Sequence, residues 1–213
     1  MLLAIDTAGT TTGVALHDGH EIRGESLWVS RGHQTVSLGP EVALLLRRLE
    51  IFGKDLSAVA VAQGPGSYTG LRAGMAFAKG IALTFRLPLI AVPTLDILAA
   101  SQPGRPEPML AVIQAGRRRV AAVWYKWTGA SWEAAGQPAS LTWPEIIAGL
   151  SEPSMICGEI DREAREMLRS DKRALLVSPA LSVRRPAFLA ELAWERLRSG
   201  ERSQATMVKP IYL

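Results

Sequence analysis

Residues 57–72 decide the fold, and they read SAVAVAQGPGSYTGLR. The apolar run Ser57–Ala62 predicts a buried strand, and a glycine-rich loop follows it at Gln63–Gly70. Small and apolar residues then continue from about Leu71 to Phe85, which predicts a helix. Because a strand, a tight loop and a helix follow one another directly, this stretch predicts an α/β fold.

Upstream, the chain predicts an antiparallel meander. Leu2–Ile5 and Val14–Leu16 are apolar strands, a third strand covers Glu21–Val29, and Asp18-Gly19 favours a hairpin turn. A helix is predicted from about Gly39 to Phe52, because its apolar residues recur on one face. A strand at 87–92 and a short helix at 94–100 complete this part of the chain.

The segment Ser101–Pro108 is the best candidate for a boundary, since it contains three prolines and a glycine. We therefore predict an N-terminal subdomain at 1–102, which carries the glycine-rich loop, and a C-terminal subdomain at 103–213. The second half repeats the strand, strand, helix, strand, helix order of the first, and we expect its last helix (about Pro186–Leu197) and the tail to pack back on the first subdomain. Its other predicted elements are strands at 109–113, 120–127, 131–138, 155–157 and 174–177 and helices near 143–150 and 162–168.

The composition indicates a folded cytoplasmic protein. Hydrophobic residues make up 48% of the chain and charged residues 21%, which is enough apolar material for a core. The single cysteine, Cys157, cannot form an internal disulfide, and this fits a reducing compartment. No apolar run approaches the roughly 18 to 20 residues that cross a bilayer, and no basic leader precedes the first strand, so we expect no membrane association.

The formal net charge of +4 permits contact with RNA without requiring it. Arg117 and Arg118, at the tip of the hairpin predicted between residues 113 and 120, are candidate RNA contacts. The alternative is that these arginines are simply solvated at the tip.

The first turn combines an acid with small polar residues. Asp6 ends the first strand and is followed by Thr7, Gly9 and Thr10. Backbone N–H groups in such a turn can hold phosphate, and an acid at the end of a strand can position a metal or a water. These four residues are therefore a candidate vestigial phosphate loop, and the alternative is an aspartate that caps its own turn.

The helix after the glycine-rich loop carries glycines within it, at Gly74 and Gly80. Each costs about 1 kcal/mol relative to alanine, which makes sense where another backbone comes close. That neighbour is either the protein's own sheet or a helix of a second subunit, and the sequence leaves both open. The loop is not a Walker loop, because no lysine follows Gly70, so a P-loop NTPase is rejected.

The sequence predicts no metal centre. The three histidines, His17, His20 and His33, do not stand at ligand spacing on a clear helix. Cys157 has no histidine near it in sequence, and its strand position predicts inert burial.

Three stretches together resemble the TsaB (YeaZ) family. They are Leu3–Thr7 (LAIDT), Ala62–Arg72 (AQGPGSYTGLR) and Lys209–Leu213 (KPIYL), and the loop is the most specific of them. The resemblance is strong over about residues 1–100, weaker afterwards, and returns at the tail. The chain departs from the family pattern at Gln114, where an aspartate is usual. It implies a duplicated ribonuclease-H-like fold of the actin, hexokinase and Hsp70 superfamily.

The resemblance also implies partners. A TsaB-type protein binds a TsaD-type transferase, a TsaE-type ATPase joins them, and the complex attaches threonylcarbamoyl to the tRNA adenosine next to the anticodon. A homodimer in the absence of the partner is compatible with the resemblance, and the sequence leaves it open. No cofactor of its own is implied, although ATP or ADP at the interface of the complex is compatible with it. The residues that the resemblance assigns to the subunit interface are His33, Val42, Leu46, Tyr68, Gly70, Leu71, Arg72, Gly74, Met75 and Ala78.

The resemblance further implies a subunit without catalysis. TsaD-type proteins carry a metal-binding H-x-x-x-H pair after the strand that follows this helix, and Thr94 and Leu98 stand at those positions here. Two alternatives are a stand-alone nucleotide-dependent phosphotransferase or ATPase of the same superfamily, and a metallopeptidase, for which that missing pair leaves no ligands.

Overall fold

Five strands form the first sheet of this computed structural model: β1 (Leu2–Asp6), β2 (Thr11–His17), β3 (Ile22–Val29), β4 (Ala58–Ala62) and β5 (Leu89–Val92). Their order is β3-β2-β1-β4-β5, with every residue of the central β1 buried. β1 runs antiparallel to β2 and parallel to β4. The structure describes residues 1–30, 34–116, 118–202 and 204–213, and of Gln34 only the backbone.

Helices connect these strands. α1 (Gln34–Arg48) and a short 3-10 turn (Gly53–Asp55) precede β4, α2 (Tyr68–Phe85) joins β4 to β5, and α3 (Thr94–Ala100) follows β5. Alternate strand residues, such as Leu3 and Ile5, share a core with buried side chains of α1 and α2. Burial of one such aliphatic side chain stabilises the fold by about 1.5–3 kcal/mol.

The predicted bounds of the first helix, Gly39 to Phe52, are wrong. α1 starts at Gln34 because the buried stripe extends back to Leu38, and Pro40 lies inside the helix as an exposed residue. It ends at Arg48 because the chain turns at Glu50, which has a φ of 56°. The Ile51 N–H then donates to the Leu46 carbonyl at 2.9 Å and closes the helix end.

Six strands and two helices form the second unit. The sheet order is β11-β10-β6-β7-β8, and β9 pairs with β7. One strand was expected at 131–138, but the structure has two short strands in this region. The first ends at Ala134, and the chain pairs with the sheet again only from Ala139. The elements are β6 (Met109–Gln114), β7 (Val120–Trp127), β8 (Trp132–Ala134), β9 (Ala139–Leu141), α4 (Trp143–Gly149), β10 (Ser154–Gly158), α5 (Arg162–Arg169) and β11 (Ala174–Leu176).

The two sheets share one topology. In the first sheet, β1 pairs antiparallel with β2 and parallel with β4, and β5 lies beside β4. In the second, β6 pairs antiparallel with β7 and parallel with β10, and β11 lies beside β10. With the short extra strand β9 set aside, the strand order 3-2-1-4-5 therefore occurs in both sheets. This is the duplicated ribonuclease-H-like α/β fold that the family resemblance implied, and it is confirmed.

The last helix, α6 (Pro186–Arg198), belongs to the first unit. Residues 1–97 and 185–212 form that unit, and residues 98–184 together with Leu213 form the second. α6 packs on β1 and β2, and Gly13 leaves room there for the Pro186 ring.

Two further features bear on function. Among the described residues, no helix combines the length and the apolar character that crossing a membrane requires. Cys157 is fully buried in β10, and burial raises the pKa of its thiol to about 12, so the thiolate is not formed at neutral pH.

Candidate functional site

The glycine-rich loop packs directly on the turn that follows β1. The Ser67 N–H donates to the Ala8 carbonyl at 2.7 Å, and the Thr7 hydroxyl donates to the Gly70 carbonyl at 2.7 Å. A side chain on Gly66 would overlap the backbone of Ala8. The loop and the turn are therefore joined by backbone contacts that need glycine at this position.

Gly70 and Gly74 serve this internal junction, which corrects their assignment to a subunit interface. A Cβ on Gly70 would overlap the Thr7 carbonyl oxygen, and a Cβ on Gly74 would overlap the Thr7 hydroxyl. The backbone at the start of α2 thus lies directly against Thr7, the residue that follows β1. Of the two neighbours that the sequence left open for these glycines, the protein's own sheet is the right one.

The turn itself is closed by its own aspartate. Asp6 is 3% exposed, and its Oδ1 accepts a hydrogen bond from the Ala8 N–H at 2.8 Å. Thr7 and Gly9 are buried, whereas Thr10 is exposed and its carbonyl accepts from Ser30. This geometry is that of an aspartate capping its own turn, and a phosphate role for these four residues stays a prediction.

Four more residues assigned to the interface face the core instead. Val42, Leu71, Met75 and Ala78 are each less than 5% exposed, and Val42, Met75 and Ala78 belong to the core that packs on the sheet. Leu46 is half-buried against the same core. Tyr68 and Arg72 are exposed as an interface requires, and His33 lies outside the described residues.

The surface of these helices carries a different set of residues, which sequence reasoning missed. We call it the outer helical face, and it consists of exposed Val36, Pro40 and Ala43 of α1 and Ala76, Gly80 and Leu83 of α2. The helices are adjacent, since a Cβ on Gly39 would lie 3.6 Å from the Phe77 ring. The signal was present in the sequence: these residues recur at helical spacing on the side opposite the core stripe.

Gly80 differs from the other glycines of α2. A Cβ added there would meet no atom of the described residues within 4 Å. Val36 is 73% exposed and Leu83 59%. The outer helical face thus combines exposed apolar side chains with small residues, and it leaves open space in front of Gly80 among the described residues.

The C-terminal tail is tied to the glycine-rich loop. The Ile211 N–H donates to the Gln63 carbonyl at 2.8 Å, and the Gln63 side-chain amide donates to the Lys209 carbonyl at 3.0 Å. The Tyr212 ring lies 5.0 Å from that of Tyr68. The three stretches that carry the family resemblance therefore meet at one place in the first unit.

At the positions that the resemblance relates to metal-binding histidines, the chain has structural residues. Thr94 is fully buried, and its hydroxyl accepts from the Gly64 N–H at 3.0 Å. Leu98 is also fully buried. Within the described ranges, His, Cys, Asp and Glu side chains nowhere gather in a group of three that could hold a metal.

The two candidate RNA contacts fall in the second unit. Arg118 is exposed at the tip of the β6–β7 hairpin, where its φ is 59°, and it lines a cavity of about 300 Å³. Arg117 lies outside the described residues.

Comparison with known proteins places this geometry in a family. The family model described as TsaD, tRNA N6-adenosine threonylcarbamoyltransferase, matches residues 28–195, which is more than half of the chain. The chain is 39% identical to the tRNA threonylcarbamoyladenosine biosynthesis protein TsaB of Bacillus subtilis, over 47% of this chain and 44% of that protein. It is 51% identical to a Nitratidesulfovibrio vulgaris protein named tRNA N6-adenosine threonylcarbamoyltransferase, over 30% of this chain and 17% of that protein.

The similarity in structure extends over the whole chain. The solved structure of YeaZ from Pseudomonas aeruginosa superposes with a TM-score of 0.83 at 26% identity, covering 100% of this chain and 99% of that one. The sequence alignments, by contrast, span less than half the length of the curated relatives. The chain belongs to the family described by the TsaD model, tRNA N6-adenosine threonylcarbamoyltransferase, and within it to the TsaB (YeaZ) proteins.

Proposed function

We propose that the chain is a non-catalytic subunit that binds a TsaD-type transferase through its outer helical face. The complex attaches threonylcarbamoyl to the N6 of the tRNA adenosine next to the anticodon. The names of the relatives support the pathway. The single observation that carries the interface is Gly80, which has open space in front of it at the centre of an exposed apolar helix face.

The outer helical face suits a helix of another chain. Interaxial distances between packed helices depend on the side chains at the crossing, and small residues allow the closest approach. Ala76 and Gly80 are four residues apart on α2 and so lie above one another. Leu83, one turn further along α2, and Val36 of α1 add larger exposed apolar side chains. A partner helix that crosses at Gly80 buries this surface, and in the absence of the transferase a second copy of the chain occupies the same face.

The lack of catalysis in the proposal rests on Thr94 and Leu98. The Thr94 hydroxyl accepts a hydrogen bond from the Gly64 N–H, and the Leu98 side chain is buried in the core. Neither position therefore supplies the imidazole ligand that a first-row metal would need. The chain therefore contributes a surface, and the transferase contributes the metal centre. A TsaE-type ATPase and tRNA join through the assembled complex, and ATP or ADP is held at its interface.

Reconstitution tests this function. Purified chain, purified TsaD-type transferase and their mixture are each supplied with the other pathway components and unmodified tRNA, and nucleosides are measured by mass spectrometry. We expect threonylcarbamoyladenosine only from the mixture. Modification by the chain without the transferase would contradict the proposal, and so would an equal yield from the transferase alone.

A further inference from the structure

We propose that the cavity in the second unit is a binding site for a free α-amino acid with an apolar side chain. The cavity has a volume of about 300 Å³. Its walls include Gln114, Arg118, Trp143, Asp161, Glu163 and Met167. The inference is independent of the subunit role.

The cavity lies where α/β sheets ordinarily bind ligands. Gln114 is the last residue of β6, and Asp161 follows the end of the neighbouring parallel strand β10. From β6 the chain turns back into β7, whereas from β10 it enters α5 on its way to β11. Adjacent parallel strands whose connections leave in opposite directions open a crevice at their carboxyl ends.

The first unit has the same crevice, but its own backbone fills it. At the ends of β1 and β4, the Ser67 N–H bonds to the Ala8 carbonyl at 2.7 Å, and the Thr7 hydroxyl bonds to the Gly70 carbonyl at 2.7 Å. In the second unit, the Gln114 N–H donates to the Glu159 Oε2 at 3.2 Å, and the cavity opens beside these strand ends, where Gln114 and Asp161 line it. One copy of the duplicated fold thus packs a loop against the end of its first strand, whereas the other keeps a cavity beside it.

The lining chemistry fits a zwitterion with an apolar body. Arg118 offers a guanidinium to a carboxylate, and Asp161 and Glu163 offer carboxylates to an ammonium group. Trp143 and Met167 provide an apolar wall for the side chain. A cavity of about 300 Å³ lies at the lower end of the usual range for small-molecule sites, which suits a ligand as small as an amino acid.

The balance of charge disfavours a phosphate. Among the lining residues that the structure describes, one arginine faces two acids, so a purely anionic ligand would meet more repulsion than attraction from them. The arginine that the sequence suggested as an RNA contact is thereby assigned to the carboxylate of a small molecule.

The walls of the cavity are held in place before any ligand arrives. Asp161 caps α5 by accepting from the Ala164 N–H at 2.8 Å. Thr142 and Glu145 form a capping box at the start of α4. Trp143 is 7% exposed and packed in the core of the second unit. Because these groups are already ordered, binding of a small ligand costs little conformational entropy at the cavity wall.

Titration of the ¹⁵N-labelled chain with L-phenylalanine and with L-leucine tests the proposal. We expect saturable shifts of the Trp143 indole and the Ala164 amide. Arg118→Gln should weaken binding about tenfold, the loss typical of one charge-assisted hydrogen bond. Asp161→Asn should also weaken it while keeping the cap, because asparagine caps helices as well as aspartate. Arg162→Gln is the matched control, since that side chain is 94% exposed and outside the lining, and it should leave binding unchanged.

Two capped probes test the zwitterion itself. N-acetyl-L-phenylalanine lacks the ammonium group and L-phenylalaninamide lacks the carboxylate, and each should bind at least about tenfold more weakly than L-phenylalanine. Equal binding of either capped probe overturns the assignment of an amino acid. Absence of any shift at Trp143 and Ala164 with both free amino acids at millimolar concentration overturns the site.

Discussion

Two glycines of α2 have opposite surroundings although they lie in the same helix. A Cβ on Gly74 would overlap the Thr7 hydroxyl, whereas a Cβ on Gly80 would meet open space among the described residues. The first glycine is therefore required by the fold of the chain itself. The second is not required by the fold, and its place on the exposed face is consistent with the partner helix proposed above.

Alanine substitution should separate the two roles by the sign of its effect. Gly80→Ala should raise the free energy of unfolding by about 1 kcal/mol, because alanine favours the helix and nothing obstructs its methyl group. Gly74→Ala should lower it by about 1–3 kcal/mol, because overpacking against Thr7 outweighs the same helical gain. Urea denaturation followed by circular dichroism measures both. A stabilising Gly74→Ala would show that α2 does not approach β1 as described.

Elements with a clear apolar period were predictable from the sequence, and contacts distant in sequence were not. The bounds 94–100 for α3 and 120–127 for β7 agree with the structure, since turn residues delimit both. The start of α1 was missed because Gly39-Pro40 lies within the helix. Val42, Met75 and Ala78 were assigned outward because apolar residues suit a core and an interface equally, and only the sheet beneath them decides between the two.

The glycine-rich loop and the C-terminal tail behave as one element in this account. The Ile211 N–H donates to the Gln63 carbonyl, and the Tyr212 and Tyr68 ring centroids lie 5.0 Å apart. The Arg72 guanidinium lies over the Tyr68 ring, 5.1 Å from its centroid. Neither segment has a regular partner strand, so each orders the other. That dependence explains why both belong to the stretches that carry the family resemblance.

Removing the tail aromatic should therefore loosen the loop. Tyr212→Ala removes a ring pair that contributes about 0.5–1.5 kcal/mol, so amides of residues 63–68 that exchange through local opening should exchange about two- to tenfold faster. Hydrogen exchange with mass spectrometry measures this. Met207→Ala, at a 73% exposed position in the same segment, is the control. Unchanged exchange in Tyr212→Ala would mean that the loop is ordered without the tail.

At the scale of the whole molecule, duplication has given two units with different uses. The first unit closes its crevice with the glycine-rich loop and presents the outer helical face, and the second keeps a cavity. The segment that matches the family, residues 28–195, includes part of the first unit and residues 98–184 of the second. The function proposed for the chain thus depends on a surface of the first unit rather than on a reactive centre.

The most direct test of that claim is association with the TsaD-type transferase when Gly80 carries a large side chain. Sedimentation velocity should show a complex for the unsubstituted chain, and Gly80→Leu should weaken it at least about tenfold because its side chain fills the space for the partner helix. Gly149→Leu, at another open glycine at the end of a helix, should leave the complex intact. Full association of Gly80→Leu, with its monomer folded, would contradict the account.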